Sequence, residues 1–109
     1  MLEDPDQIDM VLKGKDGMIT FVIIDAGITT DQDKRLELLN HKIQCCAAAL
    51  CDPDQWQEFG GPTEVAVEVQ CNFEVNEEAP PQQLNFTTPA GQDISMTVRF
   101  VYRPSPYGG

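Results

Sequence analysis

Two stretches near the end of the chain, residues 64–73 and 94–103, change between apolar and polar at nearly every position. That period of two constrains the fold more than any other feature. Val65, Val67, Val69, Cys71 and Phe73 alternate with Glu64, Ala66, Glu68, Gln70 and Asn72. Ile94, Met96, Val98, Phe100 and Tyr102 alternate with Ser95, Thr97, Arg99, Val101 and Arg103. Such a pattern belongs to strands that bury one face and leave the other free. An antiparallel register puts Glu64 opposite Arg103 and Glu68 opposite Arg99, sets Ala66 beside Val101, and stacks Val67 on Phe100 and Val65 on Tyr102. Charge and burial agree in that alignment, so the two strands are expected to be antiparallel neighbours.

Upstream, residues 1–7 read as an acidic leading segment. Ile8, Met10 and Leu12 alternate with Asp9, Val11 and Lys13, and the β-branched and aromatic run from Met18 to Asp25 follows after Gly14-Lys15-Asp16-Gly17. This is the signature of a hairpin. Thr29 and Gln32 fit a capping box for a helix from about Thr30 to Cys51. Leu36, Leu39, Ile43, Cys46, Ala47 and Leu50 form its apolar stripe, with Leu38, Cys45 and Ala49 on the opposite side. Asp52-Pro53 ends the helix, residues 54–62 connect, and the proline-rich segment 75–92 holds a short strand or helical turn near Leu84–Thr87.

The chain has 109 residues, which suits one domain with a single core. The expected class is α+β: a hairpin, a helix and two further strands in a mixed sheet covered by the one helix, with residues 1–103 as the domain and 104–109 as an extended tail. Its net charge of −11, with only seven Lys and Arg, argues against nucleic acid. From Ile43 to Val98 there are nine acids and no Lys or Arg, which directs attention to basic partners. No apolar run is long enough for a membrane span and no secretion signal opens the chain, so a cytoplasmic location is expected. The cysteines Cys45, Cys46, Cys51 and Cys71 read as small buried hydrophobes. His41 and Cys45 lie four apart on the helix, but two ligands are too few for a structural zinc site, and as a base and nucleophile they lack an orienting third group. No metal, no cofactor and no catalytic residue are expected.

The sequence ends Arg103-Pro104-Ser105-Pro106-Tyr107-Gly108-Gly109. In the order of its elements and in this diglycine, it resembles ubiquitin and the ubiquitin-like proteins. The resemblance implies the β-grasp fold, with the final strand central and antiparallel to the strand after the helix. It also implies a protein modifier, not an enzyme, whose Gly109 carboxylate is adenylated by an activating enzyme that uses ATP and then passed to a target. Conjugation would rest on Gly108 and Gly109. Tail recognition would rest on Arg103, Pro104, Pro106 and Tyr107, and a partner-binding outer surface on Ala66, Val101, Glu64, Glu68 and Arg99. The partners implied are the activating enzyme, a conjugating enzyme, a target protein and a deconjugating peptidase, with no nucleic acid and no membrane. Lys13, Lys15, Lys34 and Lys42 read as surface lysines and as attachment points if chains form. The fold also serves sulfur carriers that form a terminal thiocarboxylate.

A second reading starts from the charge. The acidic middle of the chain suits a noncovalent binding module, such as an inhibitor or immunity protein that covers a basic site. The first half, with Asp4-Pro5-Asp6 and Ile8-Asp9 before the hairpin, resembles small bacterial domains. Neutralising the acids separates this reading from the modifier, which depends on Gly109.

Overall fold

The computed structural model describes residues 2–4, 8–75 and 81–103. Along the chain run strands β1 (Met10–Lys13) and β2 (Ile19–Asp25), helices α1 (Gln32–Cys51) and α2 (Pro53–Glu58), and strands β3 (Glu64–Cys71), β4 (Gln82–Thr87) and β5 (Asp93–Tyr102). The five strands form one mixed sheet in the order β1-β2-β3-β5-β4. The class is α+β, with one main helix.

The N-terminal hairpin forms, with β1 antiparallel to β2, but every residue of this edge strand is exposed, Met10 and Leu12 included, so its alternation does not mark a buried face. Gly17 turns the chain at φ 83, which a side chain would resist. β2 then pairs in parallel with β3. A parallel neighbour needs a crossover of a dozen residues or more, and α1 and α2 supply it.

β3 and β5 are neighbours, but they run parallel rather than antiparallel. Glu68 still faces Arg99, whereas Glu64 is opposite Ser95, Ala66 opposite Thr97, Val65 opposite Met96, Val67 opposite Val98, and Val101 opposite Gln70. An alternation of period two has no direction, so either orientation buries the same side chains. The antiparallel place beside β5 belongs to β4, which comes from the proline-rich segment. Arg103 reaches Glu68 at 3.8 Å instead of lying across from Glu64. β3, and not the final strand, is therefore central.

The inner rows of the sheet, Ile19, Phe21 and Ile23, then Val65, Val67, Val69 and Cys71, then Ile94, Met96 and Val98, form one core with Ile43, Cys46 and Leu50 of α1. Phe59, just after α2, meets Phe21 edge-on with ring centroids 5.7 Å apart. Leu2 also enters this core, and its amide donates to Ile24 O at 2.8 Å, so the leading segment contributes to packing.

Two details of α1 differ from the expected ones. Its N-cap is Asp31, which accepts from the Lys34 amide at 3.1 Å. The Thr29 hydroxyl instead donates to the Glu3 carboxylate at 2.7 Å, so the Thr29–Gln32 capping box does not form. The buried face is Lys42, Ile43, Cys46, Ala49 and Leu50, while Leu36 is 54% exposed. Arg35 already contacts the last residue of β2, so the turn holding Leu36 lies level with the strand ends and has little sheet beneath it. Residues 53–58, expected as connection, are helical because the Asp52 carboxylate accepts from the Asp54 and Gln55 amides and Pro53 occupies the first turn.

Candidate functional site

Because β2, β3 and β5 all point the same way, their first residues lie at one end of the sheet, and the return of α1 into α2 and β3 brings further acids there. Asp52 and Asp54 come from the junction of the helices, Glu58 from the end of α2, Glu64 from the start of β3 and Asp93 from the start of β5. All five are exposed. The Ser95 amide donates to Thr63 O at 2.9 Å, which ties the starts of β3 and β5 together. Glu64 and Asp93 both line a 430 Å³ cleft with Thr63, Asn85, Phe86, Thr87, Ile94 and Ser95. In that cleft the Thr87 hydroxyl donates to Asp93 at 2.7 Å. The last turn of α1 holds no basic residue, so its negative end adds to this field. The hairpin lysines share this end at its β1 edge: Lys13 is opposite Ile19, the first residue of β2, and a Cβ on Gly60 would stand 3.6 Å from Lys13 Nζ.

Elsewhere, carboxylates meet cations. Asp9 and Lys42 form an ion pair at 3.3 Å, with side chains 6% and 1% exposed. Asp9 also accepts from the Ile24 amide at 2.9 Å. Burial pushes the Asp9 carboxyl up, but hydrogen bonds and charge, among them those of the Ile24 amide and Lys42, outweigh it and hold the group below its ordinary value. At the far ends of β2 and β3, Asp25 accepts from Arg35 at 2.6 and 3.2 Å through one oxygen and from the Gly27 amide at 3.0 Å through the other. The guanidinium lies 4.9 Å over the Phe73 ring. Gly27, at φ 73, holds a backbone conformation that side chains disfavour, and a Cβ there would press on Asn72 Oδ1 at 3.3 Å. With Arg103 on Glu68, three of the seven cations are engaged in these pairs.

The sequence-derived surface residues fall on the outer side of the sheet. Glu64 and Arg99 are exposed, and Ala66, Glu68 and Val101 are half-buried. Ala66 and Val101 do not meet, because the parallel register separates them. Arg103 is exposed, while Pro104, Pro106, Tyr107, Gly108 and Gly109 lie outside the described residues. Lys42, read as a surface lysine, is buried against Asp9.

The cysteines are free thiols. Burial pushes Cys46 up to about 12, with Cys45 adding to the shift, and burial pushes Cys71 up to about 11, with Asp25 adding to it. Neither is a ready nucleophile. His41 is exposed and Cys45 half-buried, and among the described residues no three potential metal ligands converge. Among those residues, too, no helix is long and apolar enough to cross a membrane.

The Asp25–Arg35 and Asp9–Lys42 pairs escaped the sequence reading, although both left a trace in it. Asp25 occupies the inner row that begins with Ile19, Phe21 and Ile23, and Lys42 sits four residues before Cys46 on the apolar stripe. A charged residue in a buried row asks for a partner.

Together these features define an α+β domain whose mixed sheet carries an acid-rich pole. Searches of protein-family models, curated proteins and solved structures found no match to this chain.

Proposed function

We propose that this chain is a noncovalent protein-binding domain that recognises a basic surface through its acid-rich pole. The observation that carries the reading is a local excess of acid: Asp52, Asp54, Glu58, Glu64 and Asp93 lie exposed at one end, with Lys13 and Lys15 at its β1 edge, while Lys42, Arg35 and Arg103 are engaged with acids elsewhere. Converging carboxylates repel one another, and their field draws a cationic partner and orients it on approach. α2 with its cap, β3 and β5 supply them, so the arrangement is held by the fold rather than by one flexible segment. The binding is expected to weaken steeply with salt.

Affinity capture at low and high ionic strength, using the native chain and the variant D54N/E58Q/E64Q/D93N, tests it. A partner retained by the native chain at low salt and lost with the variant supports the reading. An unchanged set of partners overturns it.

The modifier reading is a second proposal, supported by the order hairpin, helix and strands in a mixed sheet, which is compatible with a β-grasp. The parallel pairing of β3 with β5 departs from the pattern that the resemblance implies. An adduct that requires both ATP and Gly109, seen by intact mass, favours the modifier. Deleting Gly109 without effect on adduct formation removes it.

A further inference from the structure

Beside the acid-rich pole, the end of α1, α2 and the turn between β4 and β5 form a half-open cavity of about 210 Å³ lined by Leu50, Cys51, Pro53, Trp56, Thr88 and Ala90 together with Gln57 and Gln92. Part of its wall is held in place by burial and hydrogen bonds. Leu50 is 1% exposed, and the Trp56 indole N–H donates to Pro62 O at 2.9 Å. The Thr88 amide donates to Gln92 O at 2.8 Å, and the Gln92 amide donates to the Thr88 hydroxyl at 3.1 Å. With these polar groups paired inside the protein, the cavity offers mostly apolar surface to whatever enters. Drug-sized ligands occupy roughly 300–1,000 Å³, so the space is small for them. A void of about 150 Å³ holds a benzene ring, so it suits one aromatic or branched aliphatic side chain.

Every lining residue comes from the part of the sequence without Lys or Arg. The exposed Asp52 and Asp54 flank Pro53, and the exposed Asp93 follows Gln92. An occupant approaching the cavity therefore meets carboxylates first. We infer that this cavity receives an apolar side chain from a partner segment whose sequence neighbours are lysine or arginine. This inference rests on the acid-rich pole being a binding surface, and it adds the anchor that charge alone lacks. A buried apolar anchor within a polar rim is how protein interfaces concentrate affinity, and a preformed pocket lowers the entropic cost of filling it.

The test titrates the full chain with two probe peptides, Ac-Lys-Arg-Phe-Arg-Lys-NH2 and the same peptide with Ala in place of Phe. Trp56 fluorescence and the amide resonances of Cys51, Thr88 and Gln92 provide the readout. The Phe peptide is expected to bind about tenfold tighter or more, the size of effect that burying one large apolar side chain produces. The A90L variant, shown by its amide spectrum to be folded, is expected to erase that difference while leaving salt-dependent binding of both peptides. Equal, salt-sensitive binding of the two peptides to the native chain overturns the cavity inference and leaves the acidic surface standing. Absence of binding by both at low salt overturns both readings.

Discussion

The layer between α1 and the sheet and the acid-rich pole treat carboxylates in opposite ways. Beneath the helix, Asp9 and Asp25 are almost wholly buried, and each meets a cation and a backbone amide. At the pole, Asp54, Glu58 and Glu64 stand in solvent, and Asp93 receives only the Thr87 hydroxyl. A buried charge must be answered or the fold loses several kcal/mol, whereas an exposed one costs little and projects its field outward. Burial therefore separates the acids that hold the molecule together from those available to a partner.

The largest effect should come from breaking the buried layer. D9A removes the Asp9 carboxylate from the buried Lys42 ammonium and is expected to cost about 3 kcal/mol in urea unfolding, while D9L/K42M should recover much of that loss. Because the Asp9 pKa is held below its ordinary 3.8, its contribution is complete above that pH and fades as pH falls through the lowered value. Acid unfolding in that window should be weaker in the double variant.

Alkali probes the same layer from the other side. Cys46 keeps its proton in the folded chain up to about 12, whereas the unfolded thiol releases it near 9.0. Rising pH thus favours the unfolded state between those values, and C46A should flatten the loss of stability seen in denaturation curves across that range.

D25N removes the charge that orients Arg35 while keeping the shape of the side chain. A loss of about 2 kcal/mol is expected, since charge-assisted hydrogen bonds contribute roughly 1.5–3 kcal/mol. Chemical shifts of Gly27 and Phe73 should move with it. An unchanged stability would mean that the pair is merely tolerated.

The smallest effect on folding belongs to the pole. D54N, E58Q, E64Q and D93N should each change stability by no more than about 0.5 kcal/mol, because these side chains are exposed and D93N keeps an oxygen that can accept from the Thr87 hydroxyl. Thermal unfolding of the four single variants measures this. A loss near that of D9A in any of them would end the distinction between the two regions.

Much of the architecture was legible because alternation and helical periodicity report burial. β2, α1, β3 and β5 follow from such patterns, and β4 lies where a short element was expected, whereas β1 is exposed throughout and α2 stands where a connection was expected. Burial of Cys46 and Cys71 was legible for the same reason. The ion pairs were visible only as misplaced charges, Asp25 in an inner row and Lys42 on an apolar stripe. Neither partner lies within a local pattern, Arg35 being 10 residues from Asp25 and Lys42 33 residues from Asp9. The acid run from Asp52 to Asp93 was plain, but its division between poles and faces was not.

By itself, then, the sequence determined the hairpin, α1, β3 and β5, the inward rows of β2, β3 and β5, and that the charge is strongly negative. These properties depend on local periodicity and composition. Only the tertiary structure decided that β3 and β5 run parallel, because a period of two is the same read in either direction, and the choice was made by the helical crossover and by β4 taking the antiparallel place. That choice also put the starts of β2, β3 and β5 at one end. The acid-rich pole and its cavity are consequences of strand direction, which no local pattern encodes.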